Sequence, residues 1–331
     1  MDTIEEFLKN SNIPAHAFTA AVTGKPLSKH TTFHVGGPAA LWVRPDQRDG
    51  NAEAIFSAFQ YAAVAGARVC VLGRGANIVF SDAGFPGIVL DTSGWNGVET
   101  FDMESGRIVF RAGTPIDGTV ETLARNSFGV PDREAARDVM GTLLNFGYGG
   151  LEFLAGMPGT IGGALYMNAR CYGRSIAERL ISVTIIDEHL KRISVPFRAA
   201  DWGYKKSPFQ NRDILIVDAE FSLDRKEKNA LHVDMETHRA DREKKGHYRF
   251  PSAGSVFKNN HTFGSPTGKI IDELGLCGHS HGGAMVAPFH GNIIVNTGGA
   301  TAADIRFLVD DIAEMVRKST GLELETEIVF K

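Results

Sequence analysis

Residues 151–164 read LEFLAGMPGTIGGA, in which a short apolar run leads into four glycines and a proline. Two related segments flank it, GRGANIVFSD at 73–82 and PSAGSVFKN at 251–259. Glycine lacks a Cβ atom, so its backbone can approach another group closely or adopt turns that other residues avoid. The three segments therefore predict loops in which bare backbone lies against something else, either a ligand or, more simply, a neighbouring helix or strand.

The wider distribution of glycine points to the same places. The chain has 37 glycines in 331 residues, about 11%, against a usual share of about 7%. Nine fall in 141–173, ten in 254–299 and six in 73–97, whereas 174–253 holds two. Such clustering differs from low-complexity glycine, which is spread evenly or repeats.

Composition and charge exclude several classes of protein. With 43% hydrophobic and 22% charged residues, the chain has the composition of a globular protein with room for about two domains. Its net charge of −4 gives no basic field, so neither nucleic acid nor an anionic membrane is predicted as a partner. The longest apolar stretch, 56–72, is interrupted by Gln60 and Arg68 and cannot supply the roughly 20 apolar residues of a membrane span.

Cysteine usage and the N-terminal residues predict the compartment. Cys70, Cys171 and Cys277 lie far apart and form no CxxC pair, as in a reduced intracellular protein. The first residues, MDTIEEFLKNSNIP, lack the basic and apolar regions of a secretory signal. We therefore expect a cytoplasmic protein. The sequence gives no prediction of oligomeric state.

Hydrophobic periodicity predicts a mixture of helices and strands. Helices are predicted at 2–10, 51–65, 115–125, 224–246, 268–275 and 301–319, and strands at 40–45, 68–73, 87–93, 107–113, 180–188, 191–197, 213–223, 282–288, 292–296 and 322–330. The short, alternating segments between 180 and 223 favour a mostly antiparallel sheet. The charged helix at 224–246 would lead into an α+β unit formed by the last hundred residues.

Several short motifs match known sites only in part. GRGAN has Ile78 where a dinucleotide-binding loop needs its third glycine, and GSPTGKI at 264–270 is one residue short of a phosphate loop, so it is interpreted as a helix start. GHSHG at 278–282 satisfies G-x-S-x-G, but a helix precedes it and a strand follows, the reverse of a hydrolase elbow. The nearby histidines lack a cysteine or carboxylate to complete a zinc site, so no metal is predicted.

Taken together, the three glycine segments resemble the signatures of the UDP-N-acetylenolpyruvoylglucosamine reductases, the MurB family, in order and spacing. The resemblance runs from TTFHVGGP at 31–38 to LELETEI at 322–328, about nine-tenths of the chain. The segment around Tyr172 and Gly173 is similar to the second, shorter subtype of the family. No single motif is as specific as this ordered set.

The resemblance implies an α+β protein with an FAD-binding domain of the vanillyl-alcohol-oxidase type, followed by a smaller α+β substrate-binding domain. The expected limits are 1–30 for an N-terminal helix and lead-in, 31–223 for the FAD-binding domain and 224–331 for the substrate-binding domain. The expected reaction is the NADPH-dependent reduction of UDP-N-acetylglucosamine enolpyruvate to UDP-N-acetylmuramate, a step of peptidoglycan precursor synthesis.

The resemblance also implies the site residues. The expected FAD-binding residues are Gly73, Arg74, Gly75, Ala76, Asn77, Ser81, Pro158, Gly159, Thr160, Gly162, Gly163 and Asn168, and the expected substrate-binding residues are Tyr204, Lys258 and Asn259. The backbone amides of a glycine turn such as 73–77 can form a concave nest for a pyrophosphate. Loops of this kind also form ordinary turns, which is the simpler interpretation of any single glycine.

Three residues are assigned to catalysis by the resemblance. Hydride from flavin N5 would reach the enolpyruvyl double bond and Ser255 would supply the proton; as a poor acid, the hydroxyl needs a nearby cation, such as Lys258, or a bound water. Glu327 matches the catalytic glutamate, although Glu323 and Glu325 alternate with it on one strand face and periodicity does not choose among them. Without the resemblance, Ser255 would be interpreted as a turn serine.

The sequence departs from the family pattern at Lys205. The family usually has Tyr-Arg-x-Ser with a catalytic arginine, whereas this chain has Tyr204-Lys-Lys-Ser207. Lysine keeps the charge but loses the planar fork that binds a carboxylate through two hydrogen bonds. Either Lys205 fills the role with looser geometry, or the role passes to Arg249 or Arg170.

Two other functions remain open at this point. One is another FAD-dependent oxidoreductase of the same cofactor fold that acts on a small hydroxy acid. The other is a flavin-binding or nucleotide-sugar-binding protein without turnover, which the change at Lys205 would favour. Ser255-Val-Phe-Lys-Asn259 and Glu327 argue against the first, because such an oxidase has no need of them.

Overall fold

The structure is a computed structural model that describes residues 18–45, 59–60, 66–118 and 138–331. The predicted helix at 2–10 lies outside the described residues, as do almost all of the predicted helix at 51–65 and most of that at 115–125.

The chain divides into two compact units, each built from several segments of sequence. The first comprises Met1–Thr23, Leu41–Arg74 and Gly87–Asp241, and the second Gly24–Ala40, Gly75–Pro86 and Arg242–Lys331. These units are interleaved along the chain and are not equivalent to the predicted domains, whose limits stay a prediction.

Two sheets organise the first unit. Its strands are β1 Phe18–Val22, β3 Pro38–Pro45, β4 Val69–Leu72, β6 Phe85–Asp91, β7 Val98–Asp102, β8 Arg107–Arg111, β9 Tyr148–Gly149, β10 Arg170–Cys171, β11 Arg174–Ser175, β12 Leu180–Ile186, β13 Arg192–Pro196, β14 Leu215–Ser222 and β15 Asp224–Arg225, with most of β3 and β6 belonging to this unit. One sheet has the order β1-β3-β6-β4, and the other is antiparallel with the order β13-β12-β14-β8-β7.

The antiparallel sheet carries the main core of the first unit. Ala219 of β14 pairs with Phe110 of β8, and the rings of Phe110 and Phe221 meet edge to face at 6.2 Å. Helices that the structure describes from end to end accompany the sheets, namely α1 Val139–Phe146, α2 Ile161–Tyr166 and α3 Lys228–Lys244. The charged helix α3 buries only Leu231 and Met235, so most of its surface faces water.

The second unit contains a four-stranded sheet and two helices. Its elements are β2 Lys25–Pro26, β5 Ile78–Val79, β16 Ser252–Ser255, α4 Thr267–Glu273, β17 Ser280–His281, β18 Ala284–Val286, β19 Ile293–Asn296, α5 Ala302–Thr320 and β20 Val329–Phe330. The sheet has the order β16-β19-β18-β17, and β20 pairs in parallel with β5. Phe33, Phe257 and Ile305 are fully or almost fully buried in the core of this unit.

Helix α5 is held firmly at its N-terminus. Thr301 and Asp304 form a reciprocal capping box. The carboxylate of Asp82 accepts further hydrogen bonds from the backbone N–H groups of Ala302 and Ala303, at 2.8 and 3.0 Å. A carboxylate at this end of a helix also interacts favourably with the helix dipole.

Most predicted elements among the described residues are confirmed, including the antiparallel sheet between 180 and 223 and the helix start at 264–270. The predicted helix at 224–246 begins later, at Lys228, after the short strand β15. The predicted strand at 322–330 is wrong over most of its length. Only Val329–Phe330 form a strand, because residues 325–327 bond to residues 256–258 and the chain then moves to β5.

Candidate active-site residues

The end of β4 and the start of α2 contact each other within the first unit. A Cβ atom added at Gly73 would lie 2.5 Å from the Oγ1 atom of Thr160. Gly73 therefore has a packing reason to be glycine, since a larger residue would push Thr160 from its place. Thr160 is 1% exposed, and its hydroxyl caps α2 by accepting from the N–H of Gly163 at 3.3 Å.

The first turn of α2 uses its backbone amides inside the protein. The N–H of Ile161 donates to Thr114 O at 2.9 Å, and that of Gly162 donates to Ala112 O at 2.7 Å. A Cβ atom at Gly162 would lie 3.1 Å from the Cβ of Ala112. The amides of Ile161 and Gly162 thus hold this loop against residues 112–114, which follow β8.

Two other glycines of this loop present bare backbone to open space. A Cβ atom added at Gly159 would meet nothing within 4 Å, and one at Gly163 would meet only Thr160 Oγ1, at 3.6 Å. Pro158 beside them is exposed. The loop therefore offers a smooth surface of backbone and a proline ring, which suits a flat ligand.

Asn168 fixes the turn that carries Tyr204 and Lys205. Its side chain is 4% exposed, donates from Nδ2 to Gly203 O at 2.7 Å and accepts from the Ser175 hydroxyl at 2.6 Å. These bonds give Asn168 a clear role in holding the 203–206 turn. Its predicted contact with the cofactor stays a prediction.

Lys205 lies in a tight turn with a left-handed backbone. Its φ is +53°, and the backbone groups of Gly203 and Lys206 bond to each other in both directions, at 3.1 and 3.2 Å. The carbonyl of Lys205 accepts from Gln210 Nε2 at 3.0 Å. Lys205 is half-buried whereas Lys206 is exposed, so the turn distinguishes two lysines that the sequence places side by side.

In the second unit, the candidate residues begin at Gly75. Gly75 has φ +63°, and a Cβ atom there would collide with the backbone of His30 and Thr31. Thr32 binds this loop from the other side, because its N–H donates to Gly75 O at 3.2 Å and its hydroxyl donates to Ser252 O at 2.7 Å. Gly75 is thus required by the packing of the loop as well as by its turn.

The same loop continues through Ala76 and Asn77 to Ser81. Asn77 Nδ2 donates to the backbone carbonyl of Glu327 at 3.2 Å, and the N–H of Val329 donates back to Asn77 O at 3.0 Å. Ser81 is exposed, and its hydroxyl accepts from the N–H of Ala83 at 3.2 Å. The loop that was predicted to bind the cofactor is therefore tied directly to the segment that carries Glu327.

Ser255 ends β16 just after a bulge. Ser252 pairs with Val295 and Ser255 with Ile293, so β16 has one more residue than β19 over this interval. Gly254 supplies the left-handed φ of +73° inside the bulge. Bulges of this kind change the direction of a side chain. Here the bulge accompanies the placement of Ser255 on the wall of a cavity.

That cavity has a volume of about 390 Å³ and a lining of both polar and apolar groups. It is lined by Ser255, Asn259, Pro266, Gly268, Lys269, Asp272, Pro288, Phe289, His290, Gly291 and Asn292. Burial lowers the pKa of His290, so the ring is neutral at pH 7. The guanidinium of Arg249 lies 5.4 Å from the ring centre of Phe289, which brings it to the edge of this lining.

The structure pairs Lys258 with a carboxylate. Its ammonium group lies 2.5 Å from Glu325 Oε1, and its backbone N–H donates to Glu325 O at 2.8 Å. The Oδ1 atom of Asn259 accepts from the N–H of Thr267 at 2.9 Å, at the start of α4. Both residues lie in the segment that follows Ser255, and their predicted contacts with substrate stay predictions.

Burial separates the three alternating glutamates. Glu327 is 9% exposed, whereas Glu323 and Glu325 are exposed. The N–H of Glu327 donates to Val256 O at 2.7 Å, directly beside Ser255. Of the candidate arginines, Arg170 is exposed and donates to Gly173 O at 3.2 Å, across the turn of its own hairpin.

Sequence reasoning missed two residues that hold the candidate residues of the second unit in place. Asn292 bonds to both backbone groups of Phe257, and Thr32 joins Gly75 to Ser252. A polar residue in an apolar strand such as NIIVN is a usable signal, because asparagine is rare in strands. For Thr32 the local sequence carries no such signal, since its partners lie far away along the chain.

These features, two glycine loops and a cavity that contains a serine, occur in a chain whose residues 48–151 match the family model of an FAD binding domain. The match confirms the predicted class, an FAD-dependent oxidoreductase. Residues 246–331 match the model of the C-terminal domain of UDP-N-acetylenolpyruvoylglucosamine reductase. Two reductases of that name are 35% and 37% identical to this chain over 92% of its length, so the chain belongs to the UDP-N-acetylenolpyruvoylglucosamine reductase family.

The reductase of Treponema denticola is 35% identical over 320 residues, which cover 92% of this chain and 92% of the relative. That of Borrelia garinii subsp. bavariensis is 37% identical over 309 residues, again with 92% of each chain covered. Among solved structures, the reductase of Thermus caldophilus superposes with a TM-score of 0.66 at 28% identity, and covers 94% of this chain and 98% of its own. The predicted fold and family are both confirmed.

The residues of the first unit fit an FAD group. Gly159 and Gly163 leave open the space that a Cβ atom would fill, and Pro158 extends this surface. A flat ring system can pack there without displacing a side chain. Among the residues that the structure describes, no helix is both long and apolar enough to cross a membrane, and no cluster of metal-binding side chains occurs.

Proposed function

We propose that this protein reduces UDP-N-acetylglucosamine enolpyruvate to UDP-N-acetylmuramate, with NADPH as the reductant and Ser255 as the proton donor. The observation that carries the proposal is the arrangement around Val256. Ser255, the residue before Val256, lines the cavity. The carbonyl of Val256 accepts a hydrogen bond from the N–H of Glu327. The two residues assigned to protonation and to charge stabilisation are thereby held on adjacent stretches of backbone.

The reaction adds a hydride and a proton across the enolpyruvyl double bond. A bound FAD would provide the hydride for the terminal carbon, with NADPH as the source of the electrons and NADP⁺ as its oxidised product. Negative charge then develops on the neighbouring carbon and its carboxylate. The Ser255 hydroxyl gives its proton to that carbon, forming the C–H bond, and regains a proton from solvent.

Charge stabilisation falls to groups that surround Ser255 in the second unit. A developing oxyanion is stabilised by proton donors or cations that are already in place before the reaction. Lys269 and the neutral His290 line the cavity, and Arg249 stacks on Phe289 at its edge. We assign the pyrophosphate and carboxylate of the substrate to this cavity, since both need donors and cations. Glu327 is assigned to the developing enolate, a role that requires its carboxyl group to be protonated or paired with a cation.

The first unit contributes Tyr204 and Lys205. Asn168 and Gln210 hold the turn that bears them, so the backbone of Lys205 is fixed. We assign Lys205 to the role of the family's arginine and Tyr204 to contact with the substrate. A point charge of this kind binds a carboxylate with less directional control than a guanidinium fork.

The deciding experiment measures NADPH oxidation with and without UDP-N-acetylglucosamine enolpyruvate. We expect a yellow protein whose NADPH consumption depends on this substrate and yields UDP-N-acetylmuramate. A small hydroxy acid that reduced the flavin equally well would favour the alternative oxidase function instead. Colourless protein that FAD does not reconstitute would contradict every flavoenzyme interpretation.

The Ser255→Ala variant tests the proton donor. We expect the reduction of flavin by NADPH to stay within about twofold, while reoxidation by the substrate slows by about 10³-fold, in the range of general acid catalysis. Stopped-flow absorbance of the flavin separates the two half-reactions. Ser280→Ala, at an exposed serine on β17 of the same sheet, is the control and should change neither rate. An equal loss in both half-reactions of Ser255→Ala would remove the assignment.

A further inference from the structure

The side chain of Asn292 makes hydrogen bonds that a neighbouring strand would otherwise make, close to Ser255. Its side chain is 3% exposed, its Oδ1 atom accepts from the N–H of Phe257 at 2.9 Å, and its Nδ2 atom donates to Phe257 O at 2.8 Å. Its own backbone carbonyl accepts from the N–H of Val256 at 2.9 Å. Three hydrogen bonds from one residue therefore fix the two residues that follow Ser255.

The bulge explains why such a clamp is needed. β16 ends at Ser255, directly after the left-handed Gly254, so regular pairing with β19 stops at the residue that bears the hydroxyl. Beyond that point the amide of Asn292 provides the donor and acceptor that a strand would have provided. A bulge without this support would leave the direction of the Ser255 side chain poorly fixed.

The clamp also reaches the segment that carries Glu327. Val256 donates its N–H to the carbonyl of Asn292, and its own carbonyl accepts from the N–H of Glu327 at 2.7 Å. The backbone around Val256 is thus held by Asn292 on one side and bonded to Glu327 on the other. A shift of this backbone would move both groups relative to a substrate in the cavity.

We propose that Asn292 is a positioning residue for proton transfer. It serves this transfer by fixing the backbone of Val256, which directly follows Ser255 and bonds to Glu327. This inference rests on the proposed function of Ser255. Proton transfer requires donor and acceptor to lie within hydrogen-bond distance, so a small displacement slows it strongly. Asn292 itself donates and accepts only structural hydrogen bonds and gives no proton to the substrate.

Asn296, the last residue of β19, offers a closely matched control four residues after Asn292. It is 8% exposed, its Nδ2 atom donates to Phe33 O at 3.1 Å, and its Oδ1 atom accepts from the N–H of Gly298 at 2.9 Å. The pair Asn292→Asp and Asn296→Asp removes one amide N–H from each site, and each loss affects the backbone carbonyl of a phenylalanine. Only the first of these carbonyls belongs to the segment after Ser255.

The experiment follows both half-reactions and the motion of the backbone in Asn292→Asp and Asn296→Asp holoenzymes. For Asn292→Asp we expect reoxidation of flavin by substrate to slow at least tenfold, with reduction by NADPH unchanged within twofold. Amide hydrogen exchange over residues 252–259 should become faster at least fivefold. For Asn296→Asp we expect both rates and the exchange of 252–259 to stay within twofold, even where its melting temperature falls equally.

Two results would overturn the inference. One is an equal slowing of both half-reactions in Asn292→Asp, and the other is the same selective slowing in Asn296→Asp. If Asn292→Asp does not fold, Asn292→Gln takes its place, because it keeps the amide but moves it by one methylene. An Asn292→Gln protein with unchanged reoxidation would also overturn the inference.

Ser255→Ala, measured alongside, separates this inference from the proposed function. If Ser255→Ala slows reoxidation selectively and the Asn292 variants do not, only the role of Asn292 is contradicted. If Ser255→Ala leaves reoxidation unchanged, the proton-donor assignment is contradicted and the role of Asn292 falls with it.

Discussion

Lys205 combines an unusual residue choice with an unusual backbone. A non-glycine residue with φ near +53° is uncommon and stays in that conformation only where its surroundings hold it. Here the bridge between Gly203 and Lys206 and the bond from Gln210 do so. The backbone geometry therefore does not depend on the side chain at 205, and substitutions there report mainly on the charge.

We expect Lys205→Arg to retain or raise turnover, because the guanidinium restores two-point binding of a carboxylate. Lys205→Ala should lower kcat/KM at least tenfold, which corresponds to a loss of about 1.4 kcal/mol in transition-state binding. Steady-state kinetics with UDP-N-acetylglucosamine enolpyruvate measure both effects. The exposed neighbour serves as the control, and Lys206→Ala should be silent. Full activity in Lys205→Ala would exclude this lysine from the site.

At this scale the sequence identified candidates but not their partners. The alternation of Glu323, Glu325 and Glu327 predicted three equivalent residues, whereas only Glu327 is buried and Glu325 pairs with Lys258. The distinction arises because the tail bonds to residues 256–258, far away in sequence. A pattern along one segment carries no information about such a partner.

At the scale of elements, α2 places two adjacent glycines in different surroundings. Gly162 faces Ala112, where a Cβ atom would be 3.1 Å from the alanine side chain and 3.2 Å from its carbonyl oxygen. Gly163 faces open space except for Thr160 Oγ1 at 3.6 Å. The first glycine is explained by packing within the protein, and the second is explained only if something else packs against it.

We expect Gly163→Ala to weaken FAD binding at least tenfold without destabilising the apoprotein. Alanine is a better helix former than glycine by about 1 kcal/mol, so the apoprotein should be as stable as the parent or slightly more stable. Flavin fluorescence on titration gives the Kd, and thermal unfolding of the apoprotein gives the stability. The matched variant Gly162→Ala should lower the melting temperature. Unchanged FAD affinity in Gly163→Ala would place the cofactor elsewhere.

Helices and strands with a clear period were predictable, and the tail was not. The alternation in LELETEIVF suggested one continuous strand, but only Val329–Phe330 pair as a strand, with β5. Residues 325–327 instead bond to 256–258, with a single bridge between Phe257 and Thr326. The alternating pattern indicates only that successive side chains face different surroundings. A segment that bonds first to residues 256–258 and then to β5 meets this condition as well as a continuous strand does.

At the scale of the whole molecule, acid stability depends on buried carboxylates. Glu152 is 10% exposed in its side chain, lies 2.8 Å from Lys226 Nζ and accepts from the N–H of Gly150. Burial alone would raise its pKa, but the hydrogen bonds from Lys226 and Gly150 together lower the pKa below 4.5. The charged form therefore stabilises the native state above the pKa of the unfolded chain. That stability is lost as pH falls through the lower native pKa.

We expect Glu152→Gln to lower the free energy of unfolding at pH 7 by about 1–2 kcal/mol, as for a charged hydrogen bond. The difference from the parent should shrink as pH falls below about 4, because protonation removes the same charge from the parent. Urea denaturation between pH 3 and pH 7 measures this. A difference that stayed constant over that range would contradict the role of the charge.

The control for this prediction is an exposed pair. Hydrogen bonds from Arg212 lower the pKa of Glu188 to about 2, yet both side chains are more than a third exposed. Exposed ion pairs contribute little because water and salt screen them. Glu188→Gln should therefore change stability less than Glu152→Gln, although its pKa shift is large.

The class, family and fold could be predicted from the order of the three glycine segments, because each segment is a motif of residues that are close together in sequence. The interleaving of the two units could not, because residues 24–40 and 75–86 join 242–331 only through long-range packing. The predicted domain limits of 31–223 and 224–331 treat the chain as consecutive blocks, and such limits stay a prediction.

The bond between Asn77 and Glu327 spans 250 positions and has a consequence for biosynthesis. During translation the loop at 75–82 emerges long before its partners Val329 and Lys331. Contacts this distant close late in folding, because the chain entropy must be lost before they form. The second unit is thus completed only after residues 329–331 have left the ribosome, and a chain truncated before Val329 would lack that closure.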